Sequence, residues 1–330
     1  MMSFLLLYLL SQTIFVQSQL LYSDAEVTEV IGYKRSIEGE REFHIKFGNE
    51  SVDLDLVSSD GLLPKTLSVN VLDVDDDGNL VIDDWVHTTN GGKEIYVDFK
   101  HSASLLIEEN NGRPELKGKL NEKLYIQPNK EDNSRKGRHS IYQLKPKATL
   151  ETRSNDDVES VPISENQSDS QSGSSHEKRQ QLSQIYVPLH IVVDFDLYSL
   201  IGYNPANVIE YVKTFVGAIN AYFALIQQPR VQISIQAIDI YKSKAAASTI
   251  EQHRNYADNG LICGEVLKTY RKWANTERSR IGDNYAAIFI LTGSKSMCDQ
   301  PQNNQCNIGI AGDDYSYNGV QDATHEVGHL

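Results

Sequence analysis

The chain has 330 residues, 40% of them hydrophobic and 23% charged, an ordinary globular composition whose length suggests about two domains. Its net charge of −14 argues against nucleic acid or an anionic membrane surface as a partner. The charge is uneven: residues 1–179 hold 20 basic against 31 acidic side chains, and residues 180–330 hold 11 against 14, so an acidic front half precedes a nearly neutral back half.

The first 18 residues read as a signal peptide. Phe4–Leu10 is an apolar run, extended by Ile14-Phe15-Val16, and is too short for a comfortable membrane span. Val16 and Ser18 fit the small-residue positions of a cleavage site, although no Lys or Arg precedes the run. Cleavage after Ser18 would make the protein secreted and extracellular, with no membrane contact after signal removal, since no later stretch approaches 18 apolar residues.

Residues 19–150 read as a small antiparallel β-rich domain. Phe43–Phe47, Val52–Val57 and Ile95–Phe99 alternate apolar and polar at period two, with Gly91-Gly92 and Asn111-Gly112 as turns. Asp73-Val74-Asp75-Asp76-Asp77-Gly78-Asn79-Leu80 imitates the start of a calcium loop. Its twelfth position is Asp84 rather than Glu and its flanks are strand-like, so the plainer reading is a hairpin between Leu67–Val74 and Leu80–Val86 with Asp-Gly at its tip. Residues 151–179 turn to Ser, Asn, Asp, Glu and Gln, a composition that cannot bury enough apolar surface to fold. They read as a disordered linker ending in the dibasic step Lys178-Arg179, where a processing protease would cut, with Arg135–Arg138 as a weaker second candidate. Asn49 and Asn166 open glycosylation sequons.

From residue 180 the pattern becomes α/β. Ile185–Asp194 predicts a strand whose early Pro188 suggests an edge or an entry. Pro205–Ile226 predicts a helix, with Val208, Val212, Phe215, Ile219 and Phe223 at three- and four-residue steps. Val231–Tyr241 predicts a strand, Asn259–Trp273 a helix pinned by Cys263, Tyr285–Thr292 a buried strand, and Gly309-Ile310-Ala311 a short one. A last helix begins at Asn318 or Asp322. The three cysteines, Cys263, Cys298 and Cys306, should be oxidised in a secreted protein; their pairing is open, and the odd count implies a partner beyond Leu330 or on another chain.

The last helix carries the chemistry. His325-Glu326-Val327-Gly328-His329 is an H-E-x-x-H motif, and positions i and i+4 share a helix face, so both imidazoles can reach one metal ion. Zn2+ suits two imidazoles and lowers the pKa of a bound water to roughly 7, and Glu326 can serve that water as general base. The third protein ligand would lie beyond Leu330, leaving the site and the C-terminal part of the domain incomplete. The other histidines lack ligand spacing: His190 reads as a structural residue in its strand, and His44, His87, His101, His139, His176 and His253 as ordinary surface groups.

The motif, with Met297-Cys298-Asp299, Gly309–Ala311 and the opening strand, resembles the adamalysin (reprolysin) branch of the metzincin zinc proteases. Within it, the likeness is to the secreted salivary and venom metalloproteases of arthropods. The resemblance implies a β-rich pro-domain followed by an α/β metzincin (zincin-like) catalytic domain with a mixed twisted sheet and an active-site helix. It implies a secreted zinc metalloendopeptidase precursor acting on extracellular proteins or peptides, with His325 and His329 as zinc ligands, Glu326 as base, and Gly309, Ile310 and Ala311 as the strand edge that pairs with substrate. Many relatives silence the zymogen with a pro-domain cysteine, but none precedes Cys263 here, so any inhibition is steric or uses another ligand. The rival readings are a non-catalytic binding module on the same fold and a zinc protease of another zincin branch.

Overall fold

The computed structural model describes residues 26–35, 40–59, 67–86, 94–110, 113–129, 138–144, 183–226, 228–255, 260–282, 284–297 and 307–330. The signal segment, the linker with Asn166 and Lys178-Arg179, the turns Gly91-Gly92 and Asn111-Gly112, and Cys298 and Cys306 lie outside the described residues.

The front half contributes strands β1 (Glu26–Arg35), β2 (Arg41–Phe47), β3 (Glu50–Ser58), β4 (Ser68–Val74), β5 (Leu80–Trp85), β6 (Glu94–Asp98), β7 (Ala103–Asn110), β8 (Arg113–Lys119), β9 (Leu124–Pro128) and β10 (Arg138–Gln143). Eight of them close an antiparallel barrel in the order β1-β10-β9-β8-β7-β6-β3-β2. The period-two alternation of β2 explains it: Phe43, Ile45 and Phe47 point inward between exposed neighbours and meet Leu54, Leu56, Leu105, Ile107, Leu116, Ile126 and Ile141. An eight-stranded barrel is just wide enough for such side chains to fill. His139 belongs to this interior and not to the surface as its sequence surroundings suggest; it is fully buried, and its Nε2 accepts the Leu116 N–H at 2.8 Å.

The back half begins with β11 (Gln184–Val193), α1 (Phe195–Leu200), α2 (Pro205–Phe223), β12 (Arg230–Tyr241), α3 (Ser248–Glu251), β13 (Arg254–Asn255), β14 (Gly260–Ile262) and α4 (Cys263–Thr276). It continues with α5 (Arg278–Ile281), β15 (Ala287–Thr292), β16 (Lys295–Met297), β17 (Ile308–Gly312) and α6 (Val320–His329). β13, β14 and β16 form a small separate sheet. The main sheet runs β17-β15-β11-β12-β4-β5. It is mixed: β17, β15, β11, β12 and β4 run parallel, and β5 returns antiparallel. Leu189, Ile191, Val193, Ile233, Ile235, Phe289 and Leu291 face the core under α1, α2 and α6, while Val192, Ile288, Ile290 and Ile310 face the core under α4. Residues buried on both faces explain the unbroken apolar runs of these strands.

The structure also differs from the sequence reading in the placement of the predicted hairpin and in the start of α4. The predicted hairpin forms, but β4 and β5 leave the barrel and extend the back half's sheet: β4 pairs with β12 from Ala237↔Ser68 to Tyr241↔Leu72. The burial of Val69, Asn70, Val71 and Leu72 in succession marks it as a strand covered on both faces, unlike the one-faced barrel strands. At the hairpin tip the Asp75 carboxylate accepts the backbone N–H groups of Asp77 and Asn79 at 3.1 and 2.8 Å, so it serves the turn. Pro188 fits the expected edge or entry position: up to it β11 pairs only with β12, and β15 joins on the other side from Leu189. α4 starts at Cys263, later than the Asn259 start that the sequence suggests, because residues 260–262 are paired as β14.

α2 is packed between the sheet and the barrel. It is capped by Asn204, whose side chain accepts from Ala206 N and Asn207 N, and Pro205 opens its first turn. The predicted stripe Val208, Val212, Phe215, Ile219 and Phe223 is buried, but so are Tyr211, Thr214, Val216, Gly217 and Ala218 on the other sides. The barrel covers Gly217 and Thr214: a Cβ at Gly217 would overlap the hydroxyl of Ser104 in β7, and one at Gly118 of β8 would reach Thr214, while Tyr211 packs against Tyr315 and Tyr317.

Candidate metal centre

α6 sits against β17 and α2, and its sequence decides which way it faces. Val320, Ala323 and Val327 recur at three- and four-residue steps and are buried, which turns His325 and His329 to the exposed side. The two rings stand edge to face with centroids 4.5 Å apart, and their Nε2 atoms are 3.0 Å apart. At this separation both ring nitrogens lie within reach of a single cation. Glu326 is half-buried between them in sequence, and its Oε2 is buried without a hydrogen-bond partner. Burial pushes its carboxyl above the usual range, against a smaller opposing pull from His325 and His329.

The two imidazoles fit two of the four positions of a tetrahedral zinc ion. Among the described residues no group of three or more His, Cys, Asp or Glu side chains gathers, so a third protein ligand is not among them.

Sequence reasoning misses the residue that aims this helix. Gly319, the N-cap of α6, supplies no side-chain cap. Instead Asp313, just after β17, accepts the Gly319 N–H at 2.7 Å through Oδ2, and its Oδ1 accepts the Ser316 N–H at 3.2 Å and the hydroxyl of Tyr211 from α2. A Cβ at Gly319 would overlap the Gly312 carbonyl oxygen, so only glycine permits this close approach. Asp313 is buried; that burial, with the charge of Asp314 beside it, pushes its carboxyl up to about 6. Between cap and helix, Tyr315 and Tyr317 both hold a left-handed backbone at φ +66°, a conformation rare outside glycine and sustained only by its surroundings. Those surroundings come partly from the barrel. Lys117 of β8 donates to the Tyr315 hydroxyl at 2.9 Å, and the ring of Tyr125 in β9 meets that of Tyr317 edge-on at 6.4 Å. An Asp-Asp pair in a loop is a common turn signal, so nothing local marks Asp313 as a bolt.

Gly309, Ile310 and Ala311 lie in β17, which ends the sheet order and pairs parallel with β15 through Phe289↔Gly309, Ile290↔Ile310 and Leu291↔Ala311. All three are buried, and a Cβ at Gly309 would overlap the Phe289 ring. α6 packs against β17, and a Cβ at Gly309 would lie 3.6 Å from the side chain of Leu330, one residue past His329. Cys263 is disulfide-bonded. Asn49 lies in the turn between β2 and β3. His190 is structural: its Nε2 lies 3.1 Å from Asp239 Oδ2 in the buried sheet. Arg280 Nη1 at 3.0 Å and Asn70 Nδ2 at 2.7 Å complete the shell of Asp239. Burial raises the Asp239 carboxyl, but His190 first, then Arg280 and Asn70, outweigh it and hold it at about 2.

No described helix is long and apolar enough to cross a membrane. No family model matches the chain. Venom metalloproteinase 3 of Eulophus pennicornis is 26% identical over 97% of this chain and 79% of its own length. Venom metalloproteinase 1 of the same organism is 32% identical over 35% of this chain and 29% of its own, and a protein of Bombyx mori named "a disintegrin and metalloproteinase with thrombospondin motifs like" is 28% identical over 47% and 26%. These relatives support a metalloprotease function, suggest a pro-domain followed by a catalytic domain, and imply a metal cofactor. The chain is a homologue of the venom metalloproteinases, which supports the reprolysin-type resemblance carried by His325, Glu326 and His329.

Proposed function

We propose that the chain is the precursor of a secreted zinc endopeptidase that hydrolyses peptide bonds in extracellular proteins. The observation that carries this is the geometry of α6: two Nε2 atoms 3.0 Å apart on the exposed face and the unpaired, half-buried carboxylate of Glu326 next to the first of them. His325 and His329 would hold the zinc. When bound, the ion supplies Lewis acidity, polarising a carbonyl and making water a nucleophile at neutral pH.

Glu326 takes a proton from the attacking water and passes it to the leaving amine nitrogen. Its raised proton affinity suits the first transfer, and its buried, unpaired oxygen spends no hydrogen bond elsewhere. Extended substrate would add along the outer side of β17 at Gly309–Ala311, where the sheet order ends. A processing protease acts at Lys178-Arg179, and Asn49 and Asn166 carry glycans.

The test is Glu326→Ala in the purified protein, with zinc content and peptide hydrolysis measured on the same sample. Zinc should stay at the wild-type level while hydrolysis falls to background; turnover surviving in the variant removes Glu326 as the base.

A further inference from the structure

The front half is commonly thought of, in a precursor, as a piece to be discarded, but the topology here says otherwise. β4 and β5 are the fifth and sixth strands of the back half's own sheet. β4 lies parallel to β12 over five residue pairs and buries Val69 and Val71 in the core with Leu189 and Phe215, and Leu72 in the core with Val192 and Tyr241. A hairpin inserted on both faces of a sheet is held as an internal strand is held, by a ladder and by two cores. Polar contacts match it to this position. Asn70 donates to the fully buried Asp239 at 2.7 Å, the Asp73 carboxylate accepts the Ser243 hydroxyl at 2.7 Å, and Lys242 pairs with Asp83 at 2.8 Å.

A second contact is independent of the hairpin. The barrel covers the side of α2 that the sheet leaves open, through Gly217 against Ser104, Gly118 against Thr214, and Lys119 donating to the Tyr222 hydroxyl at 3.0 Å. Departure of the front half would uncover that helix, strip β12 of a neighbour from Ala237 to Tyr241 and leave Asp239 short of a buried donor. Among the described residues, His325 and His329 are exposed with the barrel in place.

We propose that the front half is a retained structural subunit: a chain cut between Leu144 and Ser183 persists as a two-piece complex joined through the β4–β12 ladder and the barrel-covered face of α2. The proposal rests on this topology and does not require the peptidase reading. The partner each piece fits is therefore the other piece, and cleavage changes the covalent state without separating the halves.

The experiment inserts a recognition sequence for a site-specific protease after residue 165 of the whole chain, cuts the folded protein, and follows it by size-exclusion chromatography with denaturing gels of each fraction. Both pieces should co-elute at the position of the uncut protein down to nanomolar concentration. Separation of the pieces in native buffer overturns the proposal, and because cutting follows folding, a folding defect cannot imitate it. In the same insertion background, Asn70→Asp places a second carboxylate against Asp239 and should raise the dissociation constant of the cut pieces by at least tenfold. If N70D pieces hold together as tightly as the unsubstituted ones, β4 is not what joins them and the ladder part of the proposal fails. Should N70D not fold, the cut protein with Asn70 intact decides the matter alone.

Discussion

Asp313 bolts α6, the helix of the candidate metal centre, to the sheet, and Asp313→Ala should show this through pH. The substitution removes the acceptor for Gly319 N–H and for the Tyr211 hydroxyl, both buried, along with a longer bond from Ser316 N–H. Leaving two buried donors alone costs ~2–6 kcal/mol, at ~1–3 kcal/mol each. Against this stands the strain of the buried carboxylate itself. Its rise from 3.8 to about 6 corresponds to about 3 kcal/mol once both folded and unfolded chains are ionised. The sign follows from which state binds the proton more tightly. Here it is the folded state, so the contribution to stability is fully present below pH 3.8 and is lost as pH rises through about 6. The variant has no such loss. Wild type and Asp313→Ala should therefore differ most near pH 4, and the gap should shrink by about 3 kcal/mol by pH 7. Asp194, also buried and pushed up to about 6, titrates alike in both proteins and cancels. Urea unfolding followed by tryptophan fluorescence at pH 4, 5, 6 and 7 measures the gap. A gap that stays constant or widens with pH refutes the assignment of Asp313 as a buried, proton-holding bolt.

Three further outcomes are expected. Asp239 is held at about 2 in the fold, so it adds about 2 kcal/mol of stability above pH 3.8 that disappears as pH falls through 2; Asp239→Asn should flatten the acid limb of unfolding in that window, and an unchanged limb refutes the pairing with His190, Arg280 and Asn70. Gly118→Ala forces a side chain onto φ +146° and into the Ser104 carbonyl and Thr214, and should cost ~2 kcal/mol or more by thermal or denaturant unfolding; a neutral result means that the barrel and α2 are not in close contact. His325→Ala, on an exposed side chain, should remove zinc binding by metal analysis while leaving the unfolding midpoint within about 0.5 kcal/mol of wild type; stoichiometric zinc in the variant refutes the paired-imidazole site.

The front half is best understood as part of the machinery that presents α6. Lys117 and Tyr125 of the barrel steady Tyr315 and Tyr317, whose left-handed backbones form the step between Asp313 and the helix. Two bulky residues at φ +66° persist only where packing over-determines them, and a single-domain reading of residues 180–330 leaves half of that packing out.

Local physics was enough for part of this protein. Period-two alternation in Phe43–Phe47 and the stripe Val208, Val212, Phe215, Ile219 and Phe223 place a one-faced strand and a helix, because each pattern answers to a periodicity of the chain itself. The i,i+4 spacing of His325 and His329 likewise puts both rings on one face before any packing is known. Tertiary structure alone decided the rest. That β4 belongs to the sheet of the back half, that His139 is buried, and that Asp239 collects Asn70, His190 and Arg280 are facts of partners far apart in sequence. Asp313 shows the reason most plainly. Its role depends on Gly319 six residues away and Tyr211 more than a hundred residues away, and no local pattern records a hydrogen bond whose partner the chain brings back only by folding.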